Sequence, residues 1–182
     1  IVGRPSAGKS TFLNTACQEP VSIVSPIPQT TRNAIKGIVN TSYGQLIFID
    51  TPGYHTSEKK LNLRLKNVTE TQLEDIDCVL YVIDSTRIPG EEETHTAELL
   101  KNIQEKVVVA INKTDLPTSK TAPIRQFIAT NLSNIPNERI FEMSAEKDIG
   151  INEVLKALYD ISPEGEPMYD EELYTDQDLT FR

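Results

Sequence analysis

Two short stretches hold residue types whose spacing could do chemistry together. Residues 3–10 read GRPSAGKS, a fit to G-x-x-x-x-G-K-[ST], and residues 112–115 read NKTD. In the first, Gly3 and Gly8 let backbone come close to an anion, while Arg4, Pro5, Ser6 and Ala7 form the loop that wraps it. Lys9 can reach β- and γ-phosphates as a point charge, and the Ser10 hydroxyl suits Mg²⁺. Thr11 continues a helix whose positive end points at the same charge. The second stretch adds a base. The Asp115 carboxylate accepts from the N1–H and 2-amino groups of guanine, whereas adenine lacks that amino group and puts an acceptor at N1. Asn112 would tie this loop to the phosphate loop, Lys113 would lay its aliphatic stem along the base, and Thr114 completes the segment. Together the two motifs specify a guanine nucleotide.

Two further loops lie between them. DTPG at 50–53 follows the apolar strand LIFI, so Asp50 emerges at a strand tip where a carboxylate can hold a Mg²⁺ water. Thr51 and Pro52 lead to Gly53, whose N–H can meet a γ-phosphate, and Tyr54 follows. PQTTR at 28–32 sits in a polar loop. There Thr31, with Thr30 second, can complete the Mg²⁺ shell while its backbone N–H touches the γ-phosphate, so both loops sense triphosphate. The expected catalytic set is Lys9, Thr31 and Gly53, and the expected metal ligands are Ser10, Thr31 and Asp50. SAEKDIG at 144–150 adds the Ala145 N–H to guanine O6, flanked by Ser144 and Glu146. Taken singly, that serine reads as a helix cap. Arg32 and His55 read as solvated side chains, and Glu91, Glu92, Glu93 and His95 as a helix start, where acids favour the dipole.

The elements that must position these groups alternate between apolar strands and helical patterns. Residues 34–40 and 45–50 flank a turn at Ser42, Tyr43 and Gly44, a hairpin of two antiparallel strands. CVLYVID (78–84) and KVVVAIN (106–112) are continuous apolar runs ending in polar residues, as expected of parallel strands covered on both faces. Helices are expected over 61–74, 92–104, 122–132 and 151–160, and from Thr11 to Cys17. The succession predicts an α/β fold: a doubly wound, mostly parallel six-stranded sheet with one antiparallel strand and helices on both faces. Its ligands bind beyond the carboxyl ends of the strands, where every motif falls.

With 182 residues and 38% hydrophobic content, the chain can bury one medium core. The longest apolar run, Cys78 to Ile83, is far short of the roughly 18 residues a membrane span needs. Cys17 and Cys78 read as buried free thiols in a reducing compartment. The chain opens without Met inside a strand pattern, the mark of a clipped start. Net charge is −9, of which −6 falls in residues 162–182. The body has no basic footprint for nucleic acid. The expected division is a nucleotide-binding domain over 1–161 and an acidic linker over 162–182.

GRPSAGKSTFLN, PQTTR, DTPGYH, NKTD and SAEKDIG, in this order and spacing, resemble the GTPase domain of the bacterial Era family over nearly the whole chain. The resemblance implies the P-loop GTPase fold, GTP and GDP as ligands, Mg²⁺ as cofactor and slow hydrolysis. The tail PEGEPMYDEELYTDQDLTFR is similar to the linker that leads, in that family, to an RNA-binding KH domain. Through that domain the family is implied to bind 16S rRNA, to serve assembly of the small ribosomal subunit, and to associate peripherally with the inner membrane. Ser6 stands where the family usually carries Asn, which in some relatives helps hold K⁺ near the phosphates, so K⁺ here lacks that ligand. Tyr54 stands where Ras-like proteins carry a water-orienting Gln. Two alternatives stay open: a nucleotide-binding recruitment module with negligible turnover, and a related GTPase of tRNA modification or large-subunit assembly.

Overall fold

The structure, a computed structural model, describes residues 1–18, 35–50 and 77–169. PQTTR, the residues after Asp50 in DTPGYH, the helix expected over 61–74 and residues 170–182 lie outside them.

Within the described residues, helix α1 (Lys9–Cys17) follows the glycine-rich loop, and strands β1 (Ile35–Thr41) and β2 (Gly44–Asp50) form the expected hairpin. Thr41 pairs with Gly44, so only Ser42 and Tyr43 make the turn. Strand β3 (Val79–Asp84), helix α2 (Glu91–Leu100), strand β4 (Val107–Asn112), helix α3 (Thr121–Asn131), strand β5 (Ile140–Glu142) and helix α4 (Ile151–Ile161) complete the order. β5 has three residues and no periodic signal, and the sequence did not single it out. The helix expected over 92–104 ends at Leu100, and residues 104–106 form a separate 3₁₀ turn.

β3, β4 and β5 pair in parallel in that order. Val2 joins them: its N–H donates to Leu80 O and its carbonyl accepts from Val82, each at 2.9 Å. On the other side the Ile1 amino group donates to Ile49 O of β2 at 2.9 Å. The first two residues thus lie between the hairpin and the parallel strands.

β3 and β4 are buried at every position, which explains why they read as unbroken apolar runs. Successive side chains point to opposite faces. Leu80, Val82, Val108 and Ala110 meet Phe12 and Leu13 of α1 and Val154, Leu155 and Leu158 of α4. Tyr81, Ile83, Val109 and Ile111 meet Leu100 of α2 and Ile124 and Ile128 of α3. Each Val, Leu, Ile or Phe among them, fully buried, contributes about 1.5–3 kcal/mol. The sheet is therefore rigid where its carboxyl ends present Gly3, Asp84 and Asn112.

Candidate functional site

The loop from Gly3 to Gly8 leaves Val2 and enters α1. A Cβ on Gly3, at φ +143°, would lie 2.2 Å from Val82 O, so only glycine lets the loop cross the sheet this closely. Gly8, at φ +98°, precedes α1, and a Cβ there would lie 2.2 Å from Asn112 Nδ2. Ser6 also adopts the left-handed region, at φ +60°. Asn visits that region more readily than Ser, so the backbone gives a reason, apart from K⁺, why Asn suits this position.

Lys9 is buried at the first turn of α1, and its Nζ donates to Gly3 O and Arg4 O at 2.8 Å each. The ammonium thus spans the mouth of the loop. Arg4 behaves differently: its side chain turns to α2, with Nη1 donating to Glu93 Oε1 at 2.9 Å. Its Nε lies 3.3 Å from Glu92 Oε2, an ion pair without hydrogen-bond alignment. Glu93 also accepts the Gly90 N–H at 2.9 Å, capping α2. The helix-start reading of Glu91 to Glu93 holds, with the anchoring of the phosphate loop added to it. The Arg4 side chain is thus directed to α2.

Asn112 closes β4 and is the hinge of the site. Its Nδ2 donates to Ala7 O at 2.8 Å, and its Oδ1 accepts the Ala145 N–H at 2.9 Å, all buried. One amide therefore ties the phosphate loop to the SAEKDIG loop. Thr15 of α1 adds a hydroxyl donation to Ala145 O at 2.8 Å. The sequence expectation sent the Ala145 N–H to guanine O6; the structure commits it to Asn112. Thr114 donates through Oγ1 to Met143 O at 2.9 Å, fixing the NKTD turn against the strand beside it. Asp115 is exposed at that turn, Ser144 is buried and accepts the Lys147 N–H, and Glu146 is exposed.

Lys113, at φ +67°, reaches back to the tip of β3, where its Nζ donates to Asp84 Oδ2 at 2.7 Å. Asp84 Oδ1 accepts the Thr86 N–H at 2.9 Å and the Thr86 hydroxyl at 2.6 Å. Burial pushes the Asp84 carboxyl up, yet the bonds from Lys113 and Thr86 outweigh it and hold the group below the ordinary carboxylate range. The sequence placed Asp84 at the polar end of a strand that should point into the site but gave it no role; a charged residue ending a fully buried strand was the available signal. Pro5, Ser6, Asp84, Thr86, Arg87, Glu92 and Lys113 line a cavity of about 350 Å³ beside the loop.

Of the expected metal ligands, Ser10 lies in the first turn of α1, Asp50 ends β2, and Thr31 lies outside the described residues. The hydrogen bond from Ile1 to Ile49 brings the end of β2 beside the strand that feeds the loop. A serine hydroxyl and a carboxylate are hard oxygen donors, and they fit Mg²⁺ rather than a thiolate metal. Thr51, Pro52, Gly53 and Tyr54 also lie outside the described residues. Cys17 is buried, while Cys78 is only half-buried, against the expectation that both are enclosed.

Gathered at one edge are an anion loop with a lysine across its mouth and a second loop tied to it by Asn112. A family profile described as 50S ribosome-binding GTPase matches residues 1–113. The chain belongs to this family. Within it, the chain is similar to GTPase Era of Treponema denticola, 60% identical over 182 residues, and to GTPase Era of Borreliella afzelii, 46% identical over the same length. Each alignment covers 100% of this chain and 62% of the relative, so the chain spans less than two thirds of those proteins. Among solved structures it resembles Era of Aquifex aeolicus, a tyrosine-to-alanine variant bound to GDP and aluminium fluoride, with 32% identity and TM-score 0.79. That match covers 98% of this chain and 61% of the other. A second Era structure, in complex with MgGDPNP and a segment of 16S ribosomal RNA, matches at 32% identity and TM-score 0.71, with the same coverage. The architecture is that of a P-loop GTPase of the Era type.

Proposed function

We propose that this chain binds guanine nucleotides and hydrolyses GTP with Mg²⁺, as the switch domain of a ribosome-assembly protein. The observation that carries this is the Asn112 amide, which joins the phosphate loop to both loops expected to read the base. The loop from Gly3 to Gly8 would wrap the phosphates, with Lys9 moving from its carbonyls to the β- and γ-oxygens. The amino end of α1 adds its dipole to the same charge. Asp115 would read the guanine edge from its exposed turn, and Lys113 would wall the base. Thr31 and Gly53 would sense the γ-phosphate.

Ser10, Thr31 and Asp50 would hold Mg²⁺, which would supply charge neutralisation at the phosphates. Lys9 and the loop N–H groups stabilise charge as it develops on the phosphoryl oxygens during in-line attack by water. No protein nucleophile is required. Tyr54, lacking an amide, does not orient the attacking water as Gln would, so turnover is slow, on the order of 10⁻⁴ to 10⁻² s⁻¹ for an unassisted GTPase. The complex of the related Era with 16S rRNA supports small-subunit rRNA as the eventual partner of the whole protein. A net charge of −9 gives this stretch no basic footprint, which supports RNA contact by another part of the whole protein.

Release of phosphate from GTP under single-turnover conditions is the test. It should be abolished by Lys9→Ala with nucleotide binding measured in parallel. Binding without any Lys9-dependent release would identify a recruitment module instead. Asp115→Asn should exchange GTP for xanthosine triphosphate, whose 2-oxo group accepts where guanine donates; unchanged GTP affinity would remove the base assignment.

A further inference from the structure

We propose that Asp84 is a positioning residue for base recognition, holding the Lys113 ammonium so that the lysine stem stands as a fixed wall of the guanine site. The proposal rests on the assignment of NKTD to the base given above. Asp84 is 5% exposed at the end of a fully buried strand, so its backbone does not wander. Both its oxygens are engaged, Oδ2 by Lys113 at 2.7 Å and Oδ1 by the Thr86 N–H and hydroxyl, so the carboxylate cannot rotate away. Lys113 has no such constraint of its own: its side chain is 29% exposed and springs from a left-handed residue in a turn.

A lysine side chain has four rotatable bonds and loses much of its rotamer freedom when fixed. With Asp84 present, that loss is borne on folding, and the base meets a wall already in place. Without it the ammonium can move toward solvent or toward Glu92, which lines the same cavity. Arg87, the other cation of that cavity, is exposed, and its side chain lies outside the Asp84 hydrogen-bond set. Asp84 touches neither phosphate loop nor base by this account, and acts only through Lys113.

The experiment is a double-mutant cycle on the affinity for a fluorescent GDP analogue, using Asp84→Asn, Lys113→Ala and the pair. Asp84→Asn should weaken binding about three- to tenfold, the ordering cost of one long side chain. Lys113→Ala should weaken it at least as much, and adding Asp84→Asn to Lys113→Ala should change nothing further. A second readout is acetylation of Lys113 in the nucleotide-free protein, followed by peptide mass spectrometry, which should speed up several-fold in Asp84→Asn. Asp84→Ser serves as the replacement should the asparagine variant not fold. Additive losses, or unchanged Lys113 acetylation, overturn the proposal while leaving the base assignment intact. Unchanged affinity in Lys113→Ala overturns the base assignment and the proposal with it.

Discussion

At the scale of single residues, Asn112 has the largest consequence because one buried amide satisfies two separate loops. Asn112→Ala leaves the Ala7 carbonyl and the Ala145 N–H without partners in a site closed to water, at about 1–3 kcal/mol for each. The expected result is a loss of about 2–6 kcal/mol in urea unfolding together with a collapse of guanine-nucleotide affinity. An affinity loss without the stability loss would mean that the amide contacts nucleotide alone. Asp84 sets a pH dependence. Its folded-state pKa lies below its unfolded value, so its contribution is complete above about pH 4 and disappears as pH falls below that. Asp84→Asn should therefore flatten the acid limb of the stability profile below about pH 4 while leaving the neutral-pH slope unchanged. An acid limb identical to the parent's would show that the Lys113–Asp84 pair does not report on folding.

At the scale of elements, α1 has two duties: its amino end faces the anion loop, and its apolar side seals the sheet. Cys17 closes that side, and burial pushes its thiol up to about 12. Cys78, half-buried before β3, is also raised, again mainly by burial. Both should resist iodoacetamide in the native protein at pH 8 and react fully in urea, with Cys78 the faster of the two under native conditions. Rapid native labelling of Cys17 would contradict the seating of α1. The elements themselves were legible where periodicity was long: β3, β4, α3 and α4 fall within two residues of the sequence expectation at each end. β5 was not, because three residues cannot establish a period. The site was legible in its motifs and less so in its wiring. GRPSAGKS and NKTD name their ligand, but nothing in either string says that Arg4 turns toward Glu93, that Asp84 holds Lys113, or that Asn112 takes the Ala145 N–H. Those pairings depend on which strand ends meet in space.

At the scale of the molecule, Gln45 of the hairpin fastens the described segment after α4. Gln45 Oε1 accepts the N–H groups of Met168 and Tyr169 at 3.0 Å each, while its Nε2 donates to Tyr169 O at 3.0 Å and to Asn40 Oδ1 at 2.8 Å. The amide thus stands in for a strand backbone. Tyr159 of α4 fastens the same hairpin from below, its hydroxyl donating to Gly44 O at 2.6 Å. β1 begins three residues after PQTTR, and β2 ends on the Asp50 that opens DTPG, so this hairpin joins in sequence the two loops proposed to sense the γ-phosphate. Gln45→Ala removes three of the contacts that hold residues 168–169 without touching the core. The expected outcome is faster hydrogen exchange at the Met168 and Tyr169 amides, by about tenfold for each 1.4 kcal/mol lost, with the midpoint of urea unfolding nearly unchanged. Gln45→Glu separates the two halves of the contact, since a carboxylate still accepts from both N–H groups but cannot donate to Tyr169 O, and it should exchange at an intermediate rate. Equal protection in all three proteins would mean that the tail is held by its own conformation rather than by the hairpin.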